Sequence, residues 1–433
     1  MKKVKAIFDI GKTNKKFLLF DKDNELVYEE EKIFELITDD DEFECEDIES
    51  LKNWIFTTIN SAIASKKYDI TDLNFTTYGA TLVYLDENGE RVTPVYNYLK
   101  KVDETIFEEF YEKYEGREEF CRKTASPALG MLNSGLQIYW LKHKKSEYWK
   151  KVEHILHFPQ YLSFLFTGKI VSEYTSIGCH TGMWNYDDMK YHDWLDKEGV
   201  NLPEPVANST KYKVEIQGKS IGVGIGIHDS SASLVPFLKQ LDSKFILISS
   251  GTWAINLNPF NDSNLTAEQL NNDCLCYLSV NQKQVKSSRL FMGHIHDENV
   301  NLMNEFYNVR ENGYKNVKTR PQLIKQIFGS QNLVFFKNGI PQNYKIDSKL
   351  LERFDSFSEA YHQLMFELSL FETEQIERII ADRQQLDNIY IAGGFTNNDL
   401  FVKYMALFFD DMDIELSNID NGTALGAAMI LDN

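Results

Sequence analysis

Residues 9–21, DIGKTNKKFLLFD, decide how the chain is read. The flanking stretches VKAIF and FLLF are apolar and read as buried strands, yet the turn between them carries one glycine and three lysines. Lysine is a poor guest in a tight turn between such strands unless something negative sits beside it. Working outward, the polar turn DKDN and the strand ELVYEE complete a meander of three short strands. The same order recurs in the second half as KFILIS, the turn SGTW, AINLN and, after a polar loop, CLCYLSV. This duplication of architecture predicts two similar lobes, residues 1–236 and 237–433, joined near residue 236 after GVGIGIHDSSASLV.

Helical segments fill the spaces. Residues 357–381 place Tyr361, Leu364, Met365, Leu368, Ile376, Ile379 and Ile380 at mostly helical spacing, so one stripe faces a core. LDNIYIAGGFTNNDLFVKYMALFF predicts a buried strand, a glycine turn and an amphipathic helix begun near Asn397 or Asn398. NGTALGAAMI predicts a last helix whose small-residue face admits another backbone. The acidic run at residues 39–49 reads as a solvated loop or helix edge.

A chain of 433 residues has ample apolar content for two or three cores. Its formal charge of −19 argues against nucleic acid or an anionic membrane as partner, because such binding needs a surplus of lysine and arginine. Any anion must therefore be held locally. No secretory signal and no bilayer-length apolar run is visible, and five cysteines without a disulfide framework fit a reducing cytoplasm. Cys274 and Cys276 read as two same-face positions of one strand.

Three turns share one grammar. DIGKTNKK, ISSGTWA and IAGGFTNN each follow an apolar strand and set glycine beside Thr, Ser or Asn. Glycine lets backbone N–H groups converge on one concavity and the hydroxyls add donors, which together make a phosphate cradle. Asp229 lies where the repeats meet, before a predicted helix; as a residue type it suits either a helix N-cap or a carboxylate placed in the cleft.

On these motifs the chain resembles the FGGY family of carbohydrate kinases, and within it most resembles the rhamnulokinase branch, through GIHDSSAS, SSGTW and EYTSIG. The resemblance implies an α/β fold of two ribonuclease-H-like (actin-like ATPase) lobes with a central cleft. It implies ATP and Mg²⁺ as cofactors, a small-molecule sugar as substrate, and Asp229 as the base that receives a proton from the attacking sugar hydroxyl. Asp9 would hold Mg²⁺ through water. Gly11, Lys12, Thr13, Asn14 and Lys16 would form the first phosphate loop, Ser250, Gly251 and Thr252 the second, and Gly393, Gly394 and Asn397 the border of the adenosine. Lys12 and Asn14 stand where the family usually has hydroxyl residues, trading donors for charge. Lys15 fits a phosphate contact or the protection of a strand edge.

The resemblance places the sugar against residues 76–89 and 94–101, with Tyr78, Gly79, Tyr98, Gln160 and Asp229 as candidates. Thr76, Thr81 and Gln160 replace acidic residues common in the branch. The expected activity is phosphorylation of a ketose such as L-rhamnulose, with L-fuculose or a ketopentose such as xylulose or ribulose as alternatives, and a homodimer as the assembly. A non-catalytic nucleotide-dependent binding protein is the competitor from another class. Two histidine groups are set aside. His228 with Ser230, Ser231 and Ser233 has the composition of a triad, but sequence neighbours rarely face each other and no GxSxG elbow occurs. GHIHDEN, with His294, His296, Asp297 and Glu298, has the composition of a metal site and reads instead as a polar loop outside the phosphate turns.

Overall fold

The computed structural model describes residues 1–417 and 419–432, with residue 384 described by its backbone alone. Strands β1 (Lys2–Ile10), β2 (Asn14–Asp21) and β3 (Leu26–Ile33) form the expected antiparallel meander. Helix α1 (Ile48–Ala64) returns the chain to β4 (Tyr68–Thr77), which runs parallel to β1. The hairpin β5 (Lys211–Ile216) and β6 (Lys219–Gly224) joins the far edge of β4, and the two-residue strand β7 (Ile227–His228) pairs with the end of β4. The result is a seven-stranded sheet buried on both faces. Val4, Ala6, Phe8 and Ile10 pack with α1 and with α2 (Phe158–Thr167), while Ile7, Leu18 and Phe20 face the other way.

Helix α3 (Asp229–Gln240) leads into a second sheet of six strands. These are β8 (Phe245–Ser250), β9 (Ala254–Asn258), β10 (Cys274–Leu278), β11 (Gln284–Leu290), β12 (Asn388–Gly393) and β13 (Asp413–Leu416), in the order β10–β11–β9–β8–β12–β13. Helices α4 (Met292–Tyr307), α5 (Phe357–Glu377) and α6 (Asp399–Phe408) bury one face around Ile246, Ile248, Ile389 and Ile391. The duplication holds with one correction. The strand beside β9 is β11, and CLCYLSV forms the edge strand outside it, because β10 and β11 are a hairpin whose second arm takes the inner place.

The last helix, α7 (Gly422–Met429), crosses back and packs on α3 and the first sheet. Residue 236, where the sequence places the join, is a proline inside α3. Proline has no N–H for the Ala232 carbonyl one turn earlier, and Gly426 of α7 lies against that carbonyl so closely that a Cβ would stand 1.9 Å from it. The small-residue face is thus used as predicted. The long helix ends at Glu377, short of 381, where the Ile379 carbonyl accepts instead from Asn258 and Asn261 Nδ2 at 2.9 and 2.7 Å. The acidic run is not a solvated edge throughout. Asp39 and Glu46 are buried and pair with lysines. Cys274 and Cys276 share one strand face, and all five cysteines are unpaired. Among the described residues no helix is long and apolar enough to cross a membrane.

Candidate active site

Register brings the first-lobe candidates to one edge of the sheet. Asp9 on β1 pairs with Thr76 on β4, Thr76 pairs with Ile227 on β7, and the next row is Ile10, Thr77 and His228. Asp9 and Asp229 therefore emerge at the C-terminal ends of the two parallel strands that flank β4, where α/β sheets place ligands. The Asp9 carboxyl is pushed up to about 6, mainly by burial and further by the charge of Asp229, although it accepts from Thr423 Oγ1 at 2.6 Å. Asp229 is also raised to about 6 by burial, against bonds from the Ser230 N–H at 2.6 Å and hydroxyl at 3.3 Å. It is the first residue of α3, not its cap, and 32% of its side-chain surface stays open to the cleft. Tyr98 of the first lobe and Tyr277 of the second both lie in its field.

The first loop turns through a Gly11 N–H to Asn14 carbonyl bond of 3.0 Å, which leaves Thr13 and Asn14 exposed at its tip. Its three lysines point three ways. Lys16 reaches Glu29 at 2.8 Å and Asn421 at 2.9 Å, and the Glu29 bond holds its ammonium above the usual range. Lys15 is neither on an open strand edge nor free for a phosphate. It is buried, donates to the Lys12 carbonyl at 2.9 Å and pairs with Glu46 at 3.2 Å. Lys12 turns to the Tyr78 and Tyr98 rings, 5.2 Å from each centroid, with Glu46 at 3.4 Å.

In the second lobe, β8 and β12 run parallel with Ser250 beside Gly393, so the two glycine turns start together. Gly393 has φ +85° and a Cβ there would stand 1.9 Å from the Ser250 carbonyl, which admits only glycine. The Ser250 hydroxyl donates to Ala392 O at 2.6 Å and accepts from Phe395 N at 3.1 Å, so it welds the turns together and does not point into the cleft. Gly251, Thr252, Gly394 and Asn397 line a cavity of about 620 Å³. GHIHDEN corrects the sequence reading. It is the first turn of α4, and the Gly293 N–H donates to the Thr252 carbonyl at 3.1 Å, so the segment buttresses the second phosphate turn. His296 is buried, bonds Asp297 at 2.8 Å and Tyr361 at 3.1 Å, and lines the same cavity.

Sugar-side candidates divide. Tyr78, Gly79 and Tyr98 gather beside Asp229: Tyr78 donates to Glu46 at 2.9 Å, and Gly79 lies against Cys179 and His228. Gln160 is fully buried and donates to the Ile225 carbonyl at 3.1 Å, so its amide braces the backbone before β7. Thr76 and Thr81 are buried as well. His228 and Asp229 do face each other, at 3.2 Å, because the chain bends between strand and helix. No triad results. His228 is held neutral near 4 by burial and also contacts Cys179 Sγ at 3.0 Å, Ser230 bonds Asp229 and not the imidazole, and the other serines bond elsewhere, Ser231 to the Leu278 carbonyl and Ser233 to the Ser230 carbonyl.

A buried carboxyl raised further by the charge of a second one, with oxygen as the donor atom, suits a hard divalent cation, so Asp9 fits Mg²⁺. A glycine-walled cavity contiguous with Thr252 suits a nucleotide.

Residues 4–226 match the N-terminal domain of the FGGY family of carbohydrate kinases, and residues 242–433 match the C-terminal domain of carbohydrate kinase FGGY. The chain belongs to the FGGY family. A rhamnulokinase of Oceanobacillus iheyensis is 27% identical over 222 residues, 49% of this chain and 46% of that protein. One from Pectobacterium atrosepticum is 28% identical over 208 residues, 45% and 41%. The chain thus spans about half the length of the curated relatives it matches. Among solved structures, a carbohydrate kinase from Novosphingobium aromaticivorans superposes with a TM-score of 0.83 at 20% identity over 100% of this chain and 91% of the other. A ligand-bound xylulose kinase from Lactobacillus acidophilus gives 0.76 at 16% over 99% and 89%. These likenesses establish the fold, two ribonuclease-H-like lobes of the actin-like ATPase type.

Sequence reasoning missed five members of this FGGY site. Asn421 and Thr423 reach across from the start of α7 to Lys16 and Asp9. The signal was present, since NGT repeats the grammar of glycine beside a hydroxyl. His296 and Asp297 were visible as a cluster but assigned to a loop. Glu46, hidden in an acidic run, carried no signal of its own.

Proposed function

We propose that this chain transfers the γ-phosphoryl group of ATP to a hydroxyl of a small ketose, with Asp229 as the base. The observation that carries the reading is the placement of Asp9 and Asp229 at the ends of the two strands that flank β4, close enough that the charge of Asp229 raises the Asp9 carboxyl. A carboxyl near 6 is ionised at neutral pH, yet holds a proton better than an ordinary aspartate. It orients the sugar hydroxyl and accepts its proton late, once bonding to phosphorus is under way.

Gly251 and Thr252 supply donors to the phosphates from the second lobe, and Thr13 and Lys16 from the first. Gly393, Gly394 and Asn397 border the adenosine. Mg²⁺, held through water by Asp9, would neutralise charge on the phosphoryl oxygens. Closure of the lobes excludes water, which competes with the sugar for the phosphoryl group. L-Rhamnulose or a similar 6-deoxyketohexose leads the substrates, supported by the rhamnulokinase relatives. L-Fuculose, xylulose and ribulose follow. Buried, unpaired thiols support a cytoplasmic setting. The test is ADP release, measured by a coupled assay over a sugar panel. Stimulation by one ketose supports the reading, and nucleotide binding with no stimulation by any sugar replaces it with a non-catalytic binding protein.

A further inference from the structure

The three lysines of the first loop divide between two sets of partners: Lys12 and Lys15 share Glu46, and Lys16 turns to Glu29 and Asn421. Lys16 points to Asn421, the neighbour of the residue that holds Asp9. Lys12 points the opposite way, its ammonium over the faces of Tyr78 and Tyr98. Tyr78 lies between Thr77, the register partner of His228, and Gly79, which touches the His228 ring, and its ring meets that of Tyr98 at 6.1 Å, so this aromatic pair stands near Asp229.

The Lys12 stem is fixed, because Lys15 ties down the Lys12 carbonyl while Glu46 binds both lysines and the Tyr78 hydroxyl. Its ammonium is not consumed there. The Glu46 contact is long, at 3.4 Å, and 27% of the side chain stays exposed. Meanwhile the positions that bear acidic readers of sugar hydroxyls in the branch are filled by Thr76, Thr81 and Gln160, all buried, and Gln160 is bonded to backbone. The Lys12 ammonium thus offers three donors on this side of the site.

We propose that Lys12 is a specificity residue for the acceptor, donating to an electron-rich oxygen of the sugar next to Asp229, and is not a phosphate ligand. The inference rests on the kinase reading for the identity of the ligand as a sugar. An ammonium bonds a ketose carbonyl or hydroxyl oxygen and a sugar carboxylate alike, so the ligand is named by that shared chemistry.

The test compares wild type with Lys12→Met and Lys12→Arg, using the full chain. Calorimetry measures ATP affinity without sugar, and the affinity for a ketose and for an aldonate of equal carbon number in the presence of a non-hydrolysable ATP analogue. ADP release is followed in parallel. Lys12→Met is expected to weaken sugar binding about 10- to 100-fold, the loss of one charged hydrogen bond. ATP affinity should stay within about twofold, and Lys12→Arg should restore part of the loss. A larger effect on the aldonate identifies the partner oxygen as a carboxylate, and an equal effect identifies a carbonyl or hydroxyl oxygen. Weakened ATP binding with sugar affinity intact overturns the proposal and returns Lys12 to the phosphates. No change in either ligand also overturns it. If wild type binds sugar yet releases no ADP, the kinase reading falls while the binding pair still decides the role of Lys12. If it binds neither sugar, both fall.

Discussion

Burial between the lobes lifts the Asp229 carboxyl to about 6, and this gives the proposed base a signature in pH. The ionised form is the competent one, so kcat/KM should rise as pH increases through about 6 and fall away below it. Asp229→Asn should lower kcat about 10²- to 10⁴-fold and remove that limb, while calorimetric ATP affinity stays near wild type. A variant with near-normal turnover would take the base assignment away from Asp229. Glu372 on α5 offers a second test. It is fully buried, and burial pushes its carboxyl up to about 8. The folded state therefore favours the protonated acid. Its stabilising effect is complete below the unfolded value of about 4.5 and is lost as pH rises through about 8. Glu372→Gln should flatten that loss and gain roughly 3–5 kcal/mol over wild type at pH 9, read as Tm against pH.

The pairing of α3 with α7 depends on a carbonyl that Pro236 leaves without its helical partner and on a glycine that can reach it. Gly426→Ala puts a Cβ where there is no room, and the helices must separate. The expected cost is about 1–3 kcal/mol, seen as a lower urea midpoint. A loss of activity beyond the loss of folded protein is also expected, because α7 begins with the Asn421 and Thr423 that touch Lys16 and Asp9. Gly→Ala at 329, where a Cβ meets nothing within 4 Å and the backbone is not left-handed, is the control for glycine entropy alone. The elements themselves were legible in the sequence where periodicity and turn chemistry agreed: the meander of residues 2–33, the start of α6 after Asn398, and the small-residue face of α7. GHIHDEN was not, because a helical first turn made of polar residues lacks the apolar period that marks a helix.

The lobes share a core as well as a cleft. Ala125, Ile177, Trp184 and Tyr186 from the first lobe pack with Leu265, Cys276, Leu278 and Ile379 from the second, and the Tyr186 hydroxyl donates to the Gly178 and Cys276 carbonyls at 2.7 and 2.9 Å. This apolar contact ties the two halves together. Leu278→Ala is expected to destabilise by about 2–5 kcal/mol through the cavity it leaves. In wild type both lobes should unfold in one calorimetric transition. Two resolved transitions in wild type would show that the shared core does not couple them.

The opening meander and the three glycine turns followed from the sequence, because each is written in contiguous residues: an apolar run, then a glycine, then a hydroxyl. The sequence alone did not assign directions to the lysines of DIGKTNKK. Only tertiary contact, with Glu46, Tyr78 and Tyr98 for Lys12 and with Glu29 and Asn421 for Lys16, gives each its direction. The same holds for Gln160 and Ser250, whose polar groups look available in the chain and are bonded to backbone in the fold. A side chain's role depends on what desolvates it and what bonds it, and those partners lie up to hundreds of residues away in the chain.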